Sequence, residues 1–104
     1  MITPKFDELI HAPTRLSLVA LLAATEWADF QFLRDSAGLS DSALSKQLTT
    51  LEDAGYIEIR KSFVGKRPRT SARLTSVGRA AFDQHVAALK EIVARAGASL
   101  RPST

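Results

Sequence analysis

The side chains best suited to chemistry in this sequence are cations gathered in one segment. Residues 60–79 carry seven basic side chains and no acidic one, whereas residues 1–59 carry four basic and nine acidic ones. The seven are Arg60, Lys61, Lys66, Arg67, Arg69, Arg73 and Arg79. Positive charge focused in one segment indicates a polyanionic partner, and a solvated charged loop is the alternative on charge alone.

Side chains that would support catalysis or hold a metal are few. The 104-residue chain has no cysteine, which excludes disulfides, thiol nucleophiles and metal-thiolate sites. His11 and His85 are its two histidines, so a mixed histidine and carboxylate site is the remaining kind of metal site. The sequence shows no glycine-rich phosphate loop and no Ser-His-Asp constellation. We predict that the protein is not an enzyme and uses no metal or cofactor.

Length and composition are those of one ordinary globular domain. Apolar residues make up 45% of the chain and charged residues 24%. The first residues lack the basic and apolar regions of a signal peptide. The longest apolar run, residues 18–24, is far shorter than the ~20 residues of a membrane span. We therefore expect a cytoplasmic protein without membrane contact.

The apolar periodicity predicts four helices before a hairpin and a long helix after it. The helices are predicted at residues 6–10, 13–24, 30–37, 41–54 and 76–96. Asp29, Ser40 and Thr75 are the predicted N-caps of the last three, and Gly38 ends the third helix in a left-handed conformation. A short strand is predicted between the second and third helices, within residues 27–30.

From Tyr56 onward the apolar period changes from 3.6 to 2, which is typical of half-buried strands. Strands are predicted at residues 57–63 and 70–74, with a turn at residues 65–68. The side chains predicted to face the core are Ile57, Ile59, Phe63, Ala72 and Leu74.

Residues 30–55 have the pattern of a helix-turn-helix. Leu44, Leu48 and Leu51 form the predicted buried stripe of its second helix. The opposite face and the N-terminal end carry small polar groups and one cation, and these residues are Ser40, Ser42, Ser45, Lys46 and Thr49. Such side chains suit the major groove of double-stranded DNA, although any surface helix has polar residues opposite its apolar stripe.

The basic hairpin follows this helix directly. A projecting basic tip beside a helix of this kind reaches the sugar-phosphate backbone or the minor groove. We predict that Arg67 and Arg69 enter the groove and that Lys66 binds phosphate. Protection of strand edges by Lys and Arg is the alternative. The predicted fold class is mainly α with a small β-hairpin wing (α+β), a winged helix-turn-helix.

The last helix has more apolar surface than a small core can cover. We expect the surplus to bind a second copy, in a homodimer that sets two DNA-reading helices ~34 Å apart. The predicted dimerisation residues are Phe6, Leu9, Ile10, Phe82, His85, Leu89 and Ile92. Alternatively, this helix folds back on its own core. Within a dimer interface, His85 is either a structural residue or a pH switch. Residues 1–97 form the predicted domain, and residues 98–104 a flexible tail.

The order and spacing of several motifs resemble the stand-alone winged-helix regulators of the ArsR and MarR families. The motifs are HAPTRL at 11–16, AGLS at 37–40, LSKQL at 44–48, LEDAGYI at 51–57, VGKRPRT at 64–70 and LTSVGR at 74–79. The resemblance spans residues 8–95. It implies a homodimer on a pseudo-palindromic operator, with helix 41–54 in the major groove and wing 64–70 on the backbone or minor groove.

The resemblance has one departure and leaves one residue role open. Metal-sensing members usually carry cysteine or clustered histidine ligands, which this sequence lacks. Arg15 either braces the core or contacts phosphate. No residue pattern points to an effector ligand.

Two functions remain open from the sequence. We predict sequence-specific binding of double-stranded DNA by a dimeric transcriptional regulator. The alternative is a winged-helix protein-interaction module whose basic wing binds an acidic partner. Steep salt dependence of binding to duplex DNA would distinguish the two.

Overall fold

The computed structural model describes residues 4–100, with side chains as far as residue 98. Its elements are α1 Glu8–His11, α2 Pro13–Ala23, β1 Ala28–Asp29, α3 Phe30–Ala37, α4 Asp41–Asp53, β2 Ile57–Val64, β3 Arg67–Leu74 and α5 Ser76–Leu100. The predicted order of four helices, a hairpin and a long helix is confirmed. No helix among the described residues is long and apolar enough to cross a membrane.

The three strands form one antiparallel sheet in the order β1-β3-β2. The predicted short strand is β1, which pairs with β3 through Ala28 and Ala72. The β2–β3 turn is shorter than predicted, because Arg67 and Pro68 are already paired with β2. Only residues 65 and 66 form the turn, and Gly65 has a φ of 65°. Two-residue hairpin turns favour such positive φ values, which glycine adopts without strain.

One hydrophobic core joins the helices to the sheet. Its fully or almost fully buried members are Leu18, Val19, Leu22, Ala28, Leu33, Leu44, Leu48, Leu51, Ile57 and Ala72. The predicted stripe of α4 is therefore confirmed. The prediction for Phe63 is wrong, because its side chain is 74% exposed. The alternation of β2 continues beyond the point where the core ends.

Two of the three predicted N-caps are confirmed. The Ser40 hydroxyl accepts a hydrogen bond from the Ala43 N–H at 3.1 Å, and the Thr75 hydroxyl accepts one from the Gly78 N–H at 3.0 Å. Asp29 precedes α3 but makes no side-chain cap. Gly38 has the left-handed conformation predicted for it, with a φ of 67°.

Both terminal helices differ from their predicted bounds. α1 begins at Glu8 rather than at residue 6, because the Asp7 carboxylate caps it by accepting from the Ile10 N–H at 3.0 Å. α5 continues to Leu100, so residues 98–100 are helical rather than part of a flexible tail. The rest of the predicted tail, residues 101–104, lies outside the described residues, as do residues 1–3.

α5 projects beyond the compact part of the domain. Its side chains at residues 90–98 are all exposed. The molecule accordingly measures 67 Å along its longest axis, against 29 and 20 Å along the others. Among the described residues, the distal half of α5 therefore lies outside the core.

Candidate nucleic-acid interface

The exposed face of α4 carries the residues predicted to contact DNA. Ser42, Ser45, Lys46 and Thr49 are all exposed, and we call them the recognition face. Leu44, Leu48 and Leu51 are buried on the opposite side of the helix. The core therefore fixes which side of α4 faces solvent.

Hydrogen bonds within α4 restrict what its hydroxyl groups can offer a ligand. The Thr49 hydroxyl donates to the Ser45 carbonyl oxygen at 2.9 Å. Its one proton is thereby used, which leaves the Thr49 oxygen as an acceptor. Acceptors on a reading helix match the amino groups of adenine and cytosine in the major groove.

The N-terminal end of α4 carries a carboxylate that an arginine neutralises. The Arg34 Nη1 donates to Asp41 at 2.8 Å and its Nε to Asp35 at 3.1 Å. Hydrogen bonds to Asp41 and Asp35 raise the pKa of the Arg34 side chain. The Ser40 and Ser42 hydroxyls lie 3.4 Å apart beside this pair. Pairing with Arg34 offsets the repulsion that Asp41 would otherwise exert on a phosphate at this helix end.

Arg15 braces the core rather than presenting a free cation. Its Nε donates to the Leu9 carbonyl oxygen at 2.6 Å, and its Nη1 donates to the Gln47 side-chain oxygen at 3.1 Å. The guanidinium thereby connects the end of α1 to α4. This contact favours the bracing role among the two that the sequence left open.

Four of the seven cations of the basic segment are engaged within the protein. The guanidinium carbons of Arg60 and Arg73 lie 4.1 and 4.7 Å from the Trp27 ring centroid. Arg73 also binds Glu58 at 2.9 Å. Arg79 donates to the Ala23 carbonyl oxygen at 3.4 Å.

Arg69 is the fourth engaged cation. Its Nε and Nη2 donate to the two carboxylate oxygens of Asp29 at 2.9 and 2.8 Å. The Ser71 hydroxyl donates to the same carboxylate at 3.2 Å. This use of Asp29 explains why its side chain does not cap α3.

The cations left for a ligand lie on the outer part of the hairpin. Among the described side chains, Lys61, Lys66 and Arg67 take part in no ion pair, and all three are exposed. We call residues 63–68, the outer end of the hairpin, the wing tip.

Sequence reasoning missed the roles of Trp27 and Asp29, because both residues contact side chains that are distant in the sequence.

A groove of about 500 Å³ separates α4 from the hairpin. Ser45 and Thr49 line it from the helix, and Lys61 and Thr70 line it from the strands. The recognition face and the hairpin therefore border one continuous concave surface. Phe30, Leu48, Glu52 and Ile59 complete the lining, so the groove itself is mixed in character and the excess of cations lies beyond it, toward the turn of the hairpin.

The predicted dimerisation residues fall into two groups. Ile10 and His85 are fully buried within one chain, so the structure removes them from any surface that meets a second copy. Phe6, Leu9, Phe82 and Leu89 are half-buried, and Ile92 is 46% exposed. Val93 beside Ile92 is 68% exposed.

His85 instead anchors the N-terminal segment to α5. Its Nδ1 accepts from the Asp7 N–H at 3.0 Å, and its Nε2 lies 3.3 Å from the His11 Nδ1. Burial, and secondarily His11, lowers the pKa of His85. The Tyr56 hydroxyl donates to the Asp7 carboxylate at 2.5 Å, which raises the pKa of Tyr56 to about 12. No group of three or more potential metal ligands occurs within the described residues.

Residues 14–93 match the family model of the winged helix DNA-binding domain. The chain belongs to this family. The family is described as a DNA-binding domain and not as an enzyme, in agreement with the prediction. Uncharacterized protein MJ0432 of Methanocaldococcus jannaschii is 30% identical over 79 residues, which cover 76% of this chain and 86% of that protein.

Solved structures share the winged helix fold. A transcriptional regulator homologue from Pyrococcus horikoshii OT3 superposes with a TM-score of 0.79 at 22% identity, covering 86% of this chain and 88% of that one. The homodimeric winged helix-turn-helix domain of Mb0332 from Mycobacterium bovis, a possible ArsR-family regulator, gives 0.61 at 20% identity and covers 93% and 82%. Regulators of the MarR family also share the fold. The predicted winged helix fold and its likeness to ArsR and MarR regulators are thus confirmed.

Proposed function

We propose that this winged helix protein is a transcriptional regulator that binds double-stranded DNA sequence-specifically as a homodimer. The observation that carries the proposal is the groove between α4 and the hairpin, which has Ser45 and Thr49 of the recognition face on one side and Lys61 on the other. The exposed cations Lys66 and Arg67 follow at the wing tip. α4 lies in the major groove in this account. The wing contacts the backbone or the minor groove.

The recognition face supplies base and phosphate contacts. Thr49 accepts from base amino groups, because its proton is held by the Ser45 carbonyl oxygen. Lys46 donates to guanine or to phosphate. Ser42 and Ser45 donate or accept at base edges. Ser40, which caps α4, contacts phosphate at the helix N-terminus.

The wing supplies charge. Lys66 and Arg67 at its tip bind phosphate or enter the minor groove, because no acidic side chain among the described residues competes for them. Arg69 was predicted to enter the groove as well. Bound to Asp29, it instead connects β3, next to the wing tip, to the start of α3, and it meets DNA only if that pair opens.

The distal half of α5 supports the homodimer. Ile92 and Val93 are exposed on a helix segment whose described side chains, residues 90–98, all face solvent. A second copy packed on this face would remove them from water, a favourable change for apolar surface. The Mb0332 domain, which shares the fold, is homodimeric, and this supports a dimeric state.

The test measures binding to duplex DNA over a range of salt concentrations. Each phosphate neutralised contributes about −0.9 to the slope of log K against log salt. Lys66→Ala should therefore weaken binding to all sequences and flatten the slope by about 0.9 per subunit. Lys90→Ala removes the same charge from the exposed face of α5 and should leave the slope unchanged.

Recognition is tested on the preferred site. Lys46→Ala and Thr49→Ala should each lower affinity for that site by about 1–3 kcal/mol if they remove a base contact, and relax specificity at one position. Unchanged binding in all these variants would contradict the proposed interface. An acidic protein would then be the partner to seek.

A further inference from the structure

Phe63 is the most exposed of the large apolar side chains among the described residues. Its side chain is 74% exposed, and Val64 beside it is 57% exposed. A solvent-exposed phenyl ring at the end of a hairpin does not stabilise the folded protein, because apolar groups stabilise a fold only when they are buried. The ring is therefore free to pack against a ligand.

The strand register places Phe63 on a defined face of the hairpin. Phe63 pairs with Pro68, and Lys61 pairs with Thr70 two positions closer to the core along each strand. Because side chains two positions apart share one face of a strand, Phe63 points to the same side as Lys61. Lys61 and Thr70 line the groove opposite α4. The Phe63–Pro68 pair thus lies next to that groove, closer to the wing tip, and adds an apolar surface to it.

The surroundings of Phe63 are cationic. Lys61 precedes it on the same face, and Lys66 and Arg67 follow it around the turn, all without acidic partners among the described side chains. A ligand of this surface must present negative charge on both sides of an apolar strip. The minor groove of DNA does so, since its walls are deoxyribose C–H groups lying between two lines of phosphates.

We propose that Phe63, with Pro68, is an apolar DNA-contacting residue that packs into the minor groove beside the major-groove site of α4. The inference rests on the proposed function and adds to it a contact that involves no charge. Packing against sugar edges releases no counterions, so its contribution to affinity is the same at every salt concentration. This separates Phe63 from Lys66 and Arg67, whose contributions fall as salt rises.

The experiment compares salt dependence for the full chain and three variants on its preferred duplex. Phe63→Ser should weaken binding about tenfold, which corresponds to roughly 1.4 kcal/mol, with an unchanged salt slope. Phe63→Leu should restore most of the affinity, since an apolar side chain suffices. Lys66→Ala should reduce the slope. Thermal unfolding should be the same for wild type and Phe63→Ser, because the ring is largely exposed.

Replacing guanine by inosine provides a second readout. The change removes an amino group from the minor groove and leaves the hydrogen-bonding pattern of the major groove intact. At the base pairs flanking the α4 site, it should change the affinity of wild type more than that of Phe63→Ser, which keeps Lys66 and Arg67. An equal effect on both proteins would overturn the inference.

The outcomes separate a failure of the Phe63 contact from a failure of DNA binding itself. If wild type shows no salt-sensitive binding to duplex DNA, the proposed function fails and the inference fails with it. If wild type binds and Lys66→Ala lowers the slope, but Phe63→Ser binds as tightly as wild type, the inference alone is overturned. A lowered slope in Phe63→Ser would also overturn it, because the ring would then act by positioning the cations.

Discussion

Among single residues, Gly78 marks the closest approach between α5 and the chain before β2. A Cβ atom placed there would lie 2.0 Å from the Tyr56 carbonyl oxygen, which also accepts from the Thr75 N–H at 3.0 Å. Gly78→Ala must therefore separate α5 from this segment. We expect a loss of about 1–3 kcal/mol in the free energy of unfolding, measured by urea denaturation.

Gly97 offers the matched control for this substitution. It lies in the same helix, and a Cβ atom there would meet nothing within 4 Å. Gly97→Ala should stabilise the helix, by at most about 1 kcal/mol, because alanine loses less backbone entropy. Equal stability of Gly78→Ala and wild type would contradict the close approach to Tyr56.

Tyr56 is the single tyrosine of the chain, so its ionisation can be followed directly by phenolate absorbance. The hydrogen bond to Asp7 raises its pKa to about 12 from the ordinary value of 10.0. Because the folded-state pKa is the higher one, the associated stability is full below pH 10 and is lost as pH rises through about 12. Asp7→Asn should shift the titration toward the ordinary value. A wild-type midpoint at the ordinary value would contradict the hydrogen bond.

At the scale of elements, the junction between α1 and α5 depends on a neutral His85. Its Nδ1 accepts from the Asp7 N–H, which a protonated ring cannot do. Burial first, and then His11, lowers its pKa, whereas Asp7 and Glu8 act weakly in the opposite direction. Since the folded-state pKa is below the unfolded value of 6.5, stability is full above pH 6.5 and falls as pH drops below it.

The measurement is the thermal midpoint as a function of pH. Wild type should lose stability progressively below pH 6.5, because the unfolded chain binds a proton that the folded chain excludes. His85→Gln keeps an acceptor for the Asp7 N–H but does not titrate, so its midpoint should depend less on pH. The same pH dependence in both proteins would assign the effect to other groups.

The helices and strands were predictable from the sequence, but the point where the core ends along β2 was not. Local signals predicted the helices and strands, since the leucine stripe of α4 and the caps Ser40 and Thr75 act within a few residues. The prediction for Phe63 failed because alternation reports which side of a strand a residue faces, not where the core ends. The alternation of β2 does not distinguish a buried position from one on the same face that lies beyond the last residue pair packed on the core.

Long-range contacts account for the remaining differences at the candidate interface. Asp7 and His85 are 78 positions apart, and Asp29 and Arg69 are 40 apart. An apolar stripe that includes His85 looks the same whether a second copy or the chain's own α1 covers it. The exposed face of α4 was predictable, because the buried stripe opposite it fixes the helix orientation.

For the whole molecule, two surfaces at a distance from each other are suited to different partners. The hairpin carries three exposed cations outside any ion pair, Lys61, Lys66 and Arg67, and the projecting half of α5 exposes Ile92 and Val93. A two-fold dimer through α5 would present two recognition faces to one side of a duplex. Such a dimer reads a site whose halves are related by the same two-fold symmetry.

Selection of sites from random-sequence duplex DNA, with the purified full chain at two salt concentrations, tests whether the protein binds DNA as a dimer. We expect enrichment of a two-fold symmetric site, with half-sites about one helical turn (~34 Å) apart and weaker binding at the higher salt. Absence of both enrichment and salt-sensitive binding would contradict it, and the cationic hairpin would then require an acidic protein partner.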